Sequence, residues 1–165
     1  MSMIQPILNE LDQESHATLR LLERVPEDKL SWKPHPKSMS LGQLALHVAQ
    51  GPAQLTQMAQ LDGMEVPAFQ QPEATGRQQL IDTYQDGLSK ARSELSAMDD
   101  ARLMAPWSVT RGNRILMSMP RIGLLRTFML NHGYHHRGQL TVYLRLLNVP
   151  LPPVYGPSAD ENPFT

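Results

Sequence analysis

Apolar residues recur at threes and fours along most of this chain, and that spacing predicts helices. Ile4, Ile7, Leu8, Leu11, Leu19 and Leu22 form one face of a helix over about residues 3–25, which Pro26 ends. Leu41, Leu44, Ala45, Val48, Leu55 and Met58 form the stripe of a second helix. That helix opens at Ser40, where Ser40 and Gln43 have the spacing of a capping box. Inside it Pro52 has no N–H for the Val48 carbonyl and predicts a kink. Leu80, Ile81, Tyr84, Leu88, Ala91, Leu95 and Met98 keep the same period over Glu73 to Met98, with Gly87 as a weak point. Ile122, Leu125, Phe128, Met129, Leu140, Tyr143 and Leu147 predict a fourth helix from Pro120 to about Asn148, stopped by Pro150.

The connections read differently. Residues 26–39 and 62–72 carry the proline and glutamine of loops, and Trp32 is expected to anchor the first on the core. From Ala105 to Met119 the period changes: Trp107, Val109, Ile115 and Met117 flank Thr110-Arg111-Gly112-Asn113, the pattern of a short hairpin or paired extended segment. The tail from Val149 to Thr165 is too rich in proline for a helix. Four long helices with one hairpin give an all-α class, and 165 residues suit one domain over 1–165.

Composition narrows the chemistry. Cysteine is absent, so neither disulfides nor thiolate ligands are available, and any metal site must use histidine, carboxylate and water. The formal charge of -1 offers no basic surface for nucleic acid or an acidic membrane. Met1 to Glu10 lacks the basic and apolar regions of a secretion signal, and no apolar run approaches the ~20 residues of a membrane span. The expectation is a cytoplasmic protein acting on a small molecule.

The stretch Asn131-His132-Gly133-Tyr134-His135-His136-Arg137-Gly138-Gln139 holds three of the six histidines. His132 and His136, four apart, lie one turn above each other on a helix and can share a divalent ion. At about 100° per residue both fall near the centre of the core stripe, His135 falls on its edge, and Arg126, Arg137 and Arg145 point elsewhere. Two imidazoles in a buried stripe need partners, either a metal or carboxylates, hydroxyls and backbone. Gln139 is placed to hold a ring N–H. His47 sits beside the second helix stripe, where a boundary histidine or a ligand both fit. His16 reads as a surface histidine and His35, between two prolines, as a loop histidine. Arg111 and Arg114 at the hairpin tip are candidates for binding an anionic group or for plain solvation.

His132-Gly133-Tyr134-His135-His136-Arg137-Gly138-Gln139-Leu140, followed by Tyr143-Leu144-Arg145, resembles the DinB/YfiT-like metalloenzyme superfamily. Leu30-Ser31-Trp32-Lys33-Pro34, Ser40 to His47, and Pro153 to Glu161 resemble further segments of it, in the same order. The resemblance implies a four-helix bundle with a long crossover and one nickel, zinc or iron ion held by His47, His132 and His136. It also implies frequent homodimers, and activities that include transferases and isomerases using bacillithiol, mycothiol or glutathione. A thiol from outside fits a chain without cysteine. On that basis the expected function is a metal-dependent thiol S-transferase or related hydrolase. In it His135 is a candidate general base, and Arg111, Arg114 and Arg137 are candidates for the thiol's carboxylates. A non-catalytic metal-binding stress-response protein and a metal-free helical scaffold are the competing readings.

Overall fold

The computed structural model describes residues 2–66 and 71–164. Its long helices are α1 (Ile4–Leu22), α2 (Leu41–Gln60) and α3 (Arg77–Ser96). After the short α4 (Asp100–Met104) and a hairpin comes a last helical stretch in three parts: α5 (Arg121–Leu124), a π-helical segment (Leu125–Asn131) and α6 (His132–Leu146). α2 packs along α3, α1 packs on α3, and α6 lies on α2 and α1. Leu21, Leu22, Leu41, Leu44, Leu80, Leu95, Leu125, Leu140 and Leu144 are fully buried between them.

Local chemistry sets the helix ends. The capping box at Ser40 is formed: its hydroxyl accepts from the Gln43 N–H at 3.0 Å, and Gln43 Oε1 accepts from the Ser40 N–H at 3.0 Å. The Ser40 hydroxyl also donates to Glu73 Oε1 at 2.6 Å. Glu73 is therefore engaged outside α3, which begins at Arg77 and not at Glu73 as its apolar period suggested. Pro52 lies inside α2, as expected. The Gly87 position is more than a weak point, since a Cβ there would meet the Ala53 backbone nitrogen at 3.1 Å. Glycine is what allows α3 to approach α2 closely beside Pro52. Trp32 packs edge-on to Tyr143 with ring centroids 5.7 Å apart, holding the first loop to the core.

The all-α expectation needs correction. A three-stranded sheet forms, with strand order β1-β2-β3. β2 (Pro106–Arg111) and β3 (Arg114–Pro120) make the expected antiparallel hairpin, turning at Gly112 with φ +55°. β1 (Gly63–Glu65) pairs parallel to β2, in a stretch expected to be loop. Three residues are too short to show a strand period, and what fixes them is pairing with β2. The tail lies across the helices. Asp160 pairs with Arg145, Glu161 pairs with Arg20 and Arg24, and the Tyr155 hydroxyl donates to Glu14 Oε2 at 3.0 Å.

Candidate metal centre

Three imidazoles from two parts of the chain converge. His47 comes from the second turn of α2, and His132 and His136 from the first two turns of α6. His132 Nε2 lies 3.2 Å from His47 Nε2 and 3.0 Å from His136 Nε2. One ring nitrogen from each lies within 4.8 Å of the others. The rings meet edge-on, at 85–87° to one another. Nitrogens about 2.1 Å from a shared centre stand roughly 3.0 Å apart at right angles and roughly 3.4 Å apart at tetrahedral angles. The two close separations fall in that range, so this donor set fits a divalent ion.

Protonation also favours a ligand role. His136 Nδ1 lies 2.7 Å from Gln139 Oε1. A carbonyl oxygen only accepts, so the neutral ring carries its proton on Nδ1 and its Nε2 lone pair faces the centre. Partial burial, with smaller repulsion from the neighbouring imidazoles, brings the His136 pKa down to about 4 despite the opposing pull of Gln139. Burial also lowers the pKa of His47, helped by His132, and that of His132, helped by His135. Neutral imidazoles are the form that binds metal.

The setting differs from a buried stripe. His132 is exposed, and His47 and His136 are half-buried. They sit on the wall of a cavity of about 720 Å³ lined further by apolar residues of α2, the sheet and the last helical stretch. The reason lies in the segment Leu125–Asn131, where the His132 N–H bonds back to the Thr127 carbonyl, five residues earlier. Each residue in such a wide turn advances less than the ~100° of an α-helix, so a wheel drawn through it loses phase. His132 and His136 move from the stripe centre to its edge, and Arg137 moves into the core.

Arg137 is accordingly buried, at 2% exposure, where an outward-pointing arginine was expected. Its guanidinium pairs with the Glu14 carboxylate, donates to the Glu14 carbonyl at 3.1 Å and to the Tyr155 hydroxyl at 2.6 Å, and lies over the rings of Tyr134 and Tyr155. These contacts join α6, α1 and the tail, and they leave Arg137 no reach toward a thiol's carboxylates. Arg111 and Arg114 face each other across the exposed hairpin turn and line no part of the cavity. His135 is exposed, its ring stacked beside that of His132 at 6.5 Å. His16 and His35 are exposed on α1 and the first loop, outside the cluster.

One residue escaped the sequence reading. Arg121 is fully buried and donates to the carbonyls of Ala59, Leu61, Ala105 and Pro106 at 2.9–3.1 Å, with Asp62 completing its partners. It ties the end of α2 to the sheet and the last helical stretch. An arginine just after a proline carries no sequence signal for such a role.

A sequence model of the DinB family matches residues 1–163. The chain belongs to the DinB family. Relatives agree along its length. Uncharacterized protein YrdA of Bacillus subtilis (strain 168) is 28% identical over 148 residues, covering 90% of this chain and 85% of that one. A crystal structure of a DinB-like protein from Bacillus cereus ATCC 10987 superposes with a TM-score of 0.72 at 25% identity, covering 92% of this chain and 97% of the other. A second, the DinB-like protein YjoA of Bacillus subtilis, has a TM-score of 0.69 at 20% identity, covering 92% and 98%, and supports the fold alone. This DinB family chain is mostly helical, with three histidines positioned to bind a metal ion. No helix among its described residues is long and apolar enough to cross a membrane.

Proposed function

We propose that this DinB family protein holds one divalent cation on His47, His132 and His136 and uses it on a small electrophile. The observation that carries the reading is the convergence of three Nε2 atoms whose close separations, 3.0 and 3.2 Å, suit one centre. Among the described residues no carboxylate joins the cluster, so three protein ligands leave further coordination positions open, the pattern of a catalytic ion more than a closed structural one. A cation there supplies a Lewis acid that lowers the pKa of a bound water or thiol toward neutrality. The chain's own residues do the rest. Gln139 fixes the His136 tautomer, apolar cavity wall lies beside the rings, and exposed His135 stands next to the cluster as the nearest imidazole outside it for moving a proton.

Within this reading the reaction is thiol S-transfer of the bacillithiol, mycothiol or glutathione type, or a related hydrolysis, with nickel, zinc or iron as the ion. The four long helical stretches are read as a four-helix bundle with a long crossover, in one domain that pairs as a cytoplasmic homodimer. A non-catalytic metal-binding role competes, favoured by the lack of a free acid or base on the described cavity wall: Glu14 there is already paired with Arg137. Elemental analysis of protein purified without a histidine tag tests the site. About one ion per chain is expected, falling to background in His136→Ala; full occupancy in that variant rejects the ligand set. Thiol consumption with a panel of electrophiles then separates catalysis from binding, and no turnover with any thiol favours the binding role.

A further inference from the structure

The cavity next to the three imidazoles has mainly apolar walls. Leu55, Met58, Trp107, Val109, Met117 and Phe128 form much of its surface. The Trp107 indole N–H is engaged by the Met58 carbonyl at 3.0 Å, so that ring offers the cavity only its apolar body. Among the described lining residues there is no lysine or arginine. The two fully buried arginines nearby, Arg121 and Arg137, direct their donors at carbonyls, carboxylates and Tyr155. Among the described lining residues the one carboxylate is that of Glu14, which is matched by Arg137. Polar lining groups near the surface are uncharged amides, among them the exposed Gln54 and Gln57.

In the metal-free protein an anion placed in this cavity would lose its hydration and meet no cation among the described lining residues, which costs far more than burying a neutral group. A neutral apolar molecule would gain burial against the apolar walls. At about 720 Å³ the space is within the range of small-molecule sites. The flexible thioethers of Met58 and Met117 suit varied shapes rather than one fixed outline.

We propose that the cavity binds a neutral, largely apolar small molecule and that its lining, away from any bound ion, discriminates against anions, so that any carboxylates of a thiol co-substrate stay outside it. This rests on the proposed metal-centre function only for what the bound molecule meets; the binding itself does not need the ion. The test uses a matched pair of fluorescent probes, neutral N-phenyl-1-naphthylamine and 8-anilino-1-naphthalenesulfonate, which adds a sulfonate to the same ring framework. Each is titrated into metal-free and metal-loaded protein, with metal content measured separately. The neutral probe is expected to bind at one site per chain with or without metal, and in the metal-free protein at least tenfold tighter than the sulfonate. Met117→Arg, on the half-buried face of the edge strand β3, is expected to weaken the neutral probe at least tenfold and narrow or reverse the preference. Gln57→Arg at the exposed rim, where folding is not at stake, is expected to tighten the sulfonate and leave the neutral probe nearly unchanged. Equal or tighter binding of the sulfonate to the unaltered, metal-free protein overturns the proposal. So does neutral-probe binding that a folded Met117→Arg leaves unmoved. Probe binding without metal uptake would sink the metal reading and leave this one standing; metal uptake without probe binding would do the reverse.

Discussion

Two clusters of nitrogen lie at opposite ends of the satisfaction scale. Around Arg121, donors meet four carbonyls and a carboxylate. Around His47, His132 and His136, ring nitrogens face one another at 3.0 and 3.2 Å, and lone pairs aimed at one point repel unless a proton or cation sits between them. The first arrangement is finished by folding. The second is left incomplete by folding, and that is where a ligand is wanted. Charge alone does not separate the two kinds of site, since Arg137, one residue from His136, belongs with the finished kind.

Breaking the finished cluster has the largest expected effect. Arg121→Met removes the side-chain donor from four carbonyls, of which Ala105 keeps the backbone N–H of residue 121, and is expected to cost about 3–5 kcal/mol in urea unfolding. Metal content per folded chain should stay the same; a loss below about 1 kcal/mol would show that Arg121 does not hold the sheet to the helices. Altering the unfinished cluster at one remove has a smaller effect. Gln139→Leu removes the group that fixes the His136 tautomer and is expected to weaken metal affinity roughly tenfold while leaving stability nearly unchanged. Unchanged affinity in a competition titration would remove Gln139 from the account.

The smallest effect is a pH dependence. His136 titrates at about 4 in the folded chain and near 6.5 when unfolded, and His47 and His132 are also lowered. Between those values the unfolded chain binds more protons, so the metal-free protein loses stability as pH falls from about 6.5 toward 4. The cluster at Arg121 does not share this window, because its arginine neighbours keep the Asp62 carboxyl below its ordinary value. Urea midpoints should therefore drop between pH 7 and pH 5 in the unaltered protein and drop less in His136→Ala. Equal slopes in the two proteins would contradict the assignment.

The helices, the Ser40 cap, the hairpin and the three convergent histidines were legible because each depends on local spacing or on a pattern shared with the family. Their depth was not. A wheel assumes one constant rotation per residue, and Leu125–Asn131 breaks it, so His132 was read as central and Arg137 as outward. β1 was missed because three residues of backbone pairing leave no pattern of side chains. Arg121 was missed because a buried guanidinium that binds carbonyls is recognised by where distant backbone comes to rest. Arg111 and Arg114 were legible as turn residues, and the structure leaves them so.

The widened turn before His132 also offsets the angular setting of the second half of one long rod from that of the first. The N-terminal half answers to the sheet junction through Arg121, and the C-terminal half answers to the cavity through His132 and His136. Losing a single amino acid there would tighten the coil and swing both imidazoles away from His47 without touching any of the three. The centre is thus sensitive to the length of this segment as well as to the identity of its three histidines.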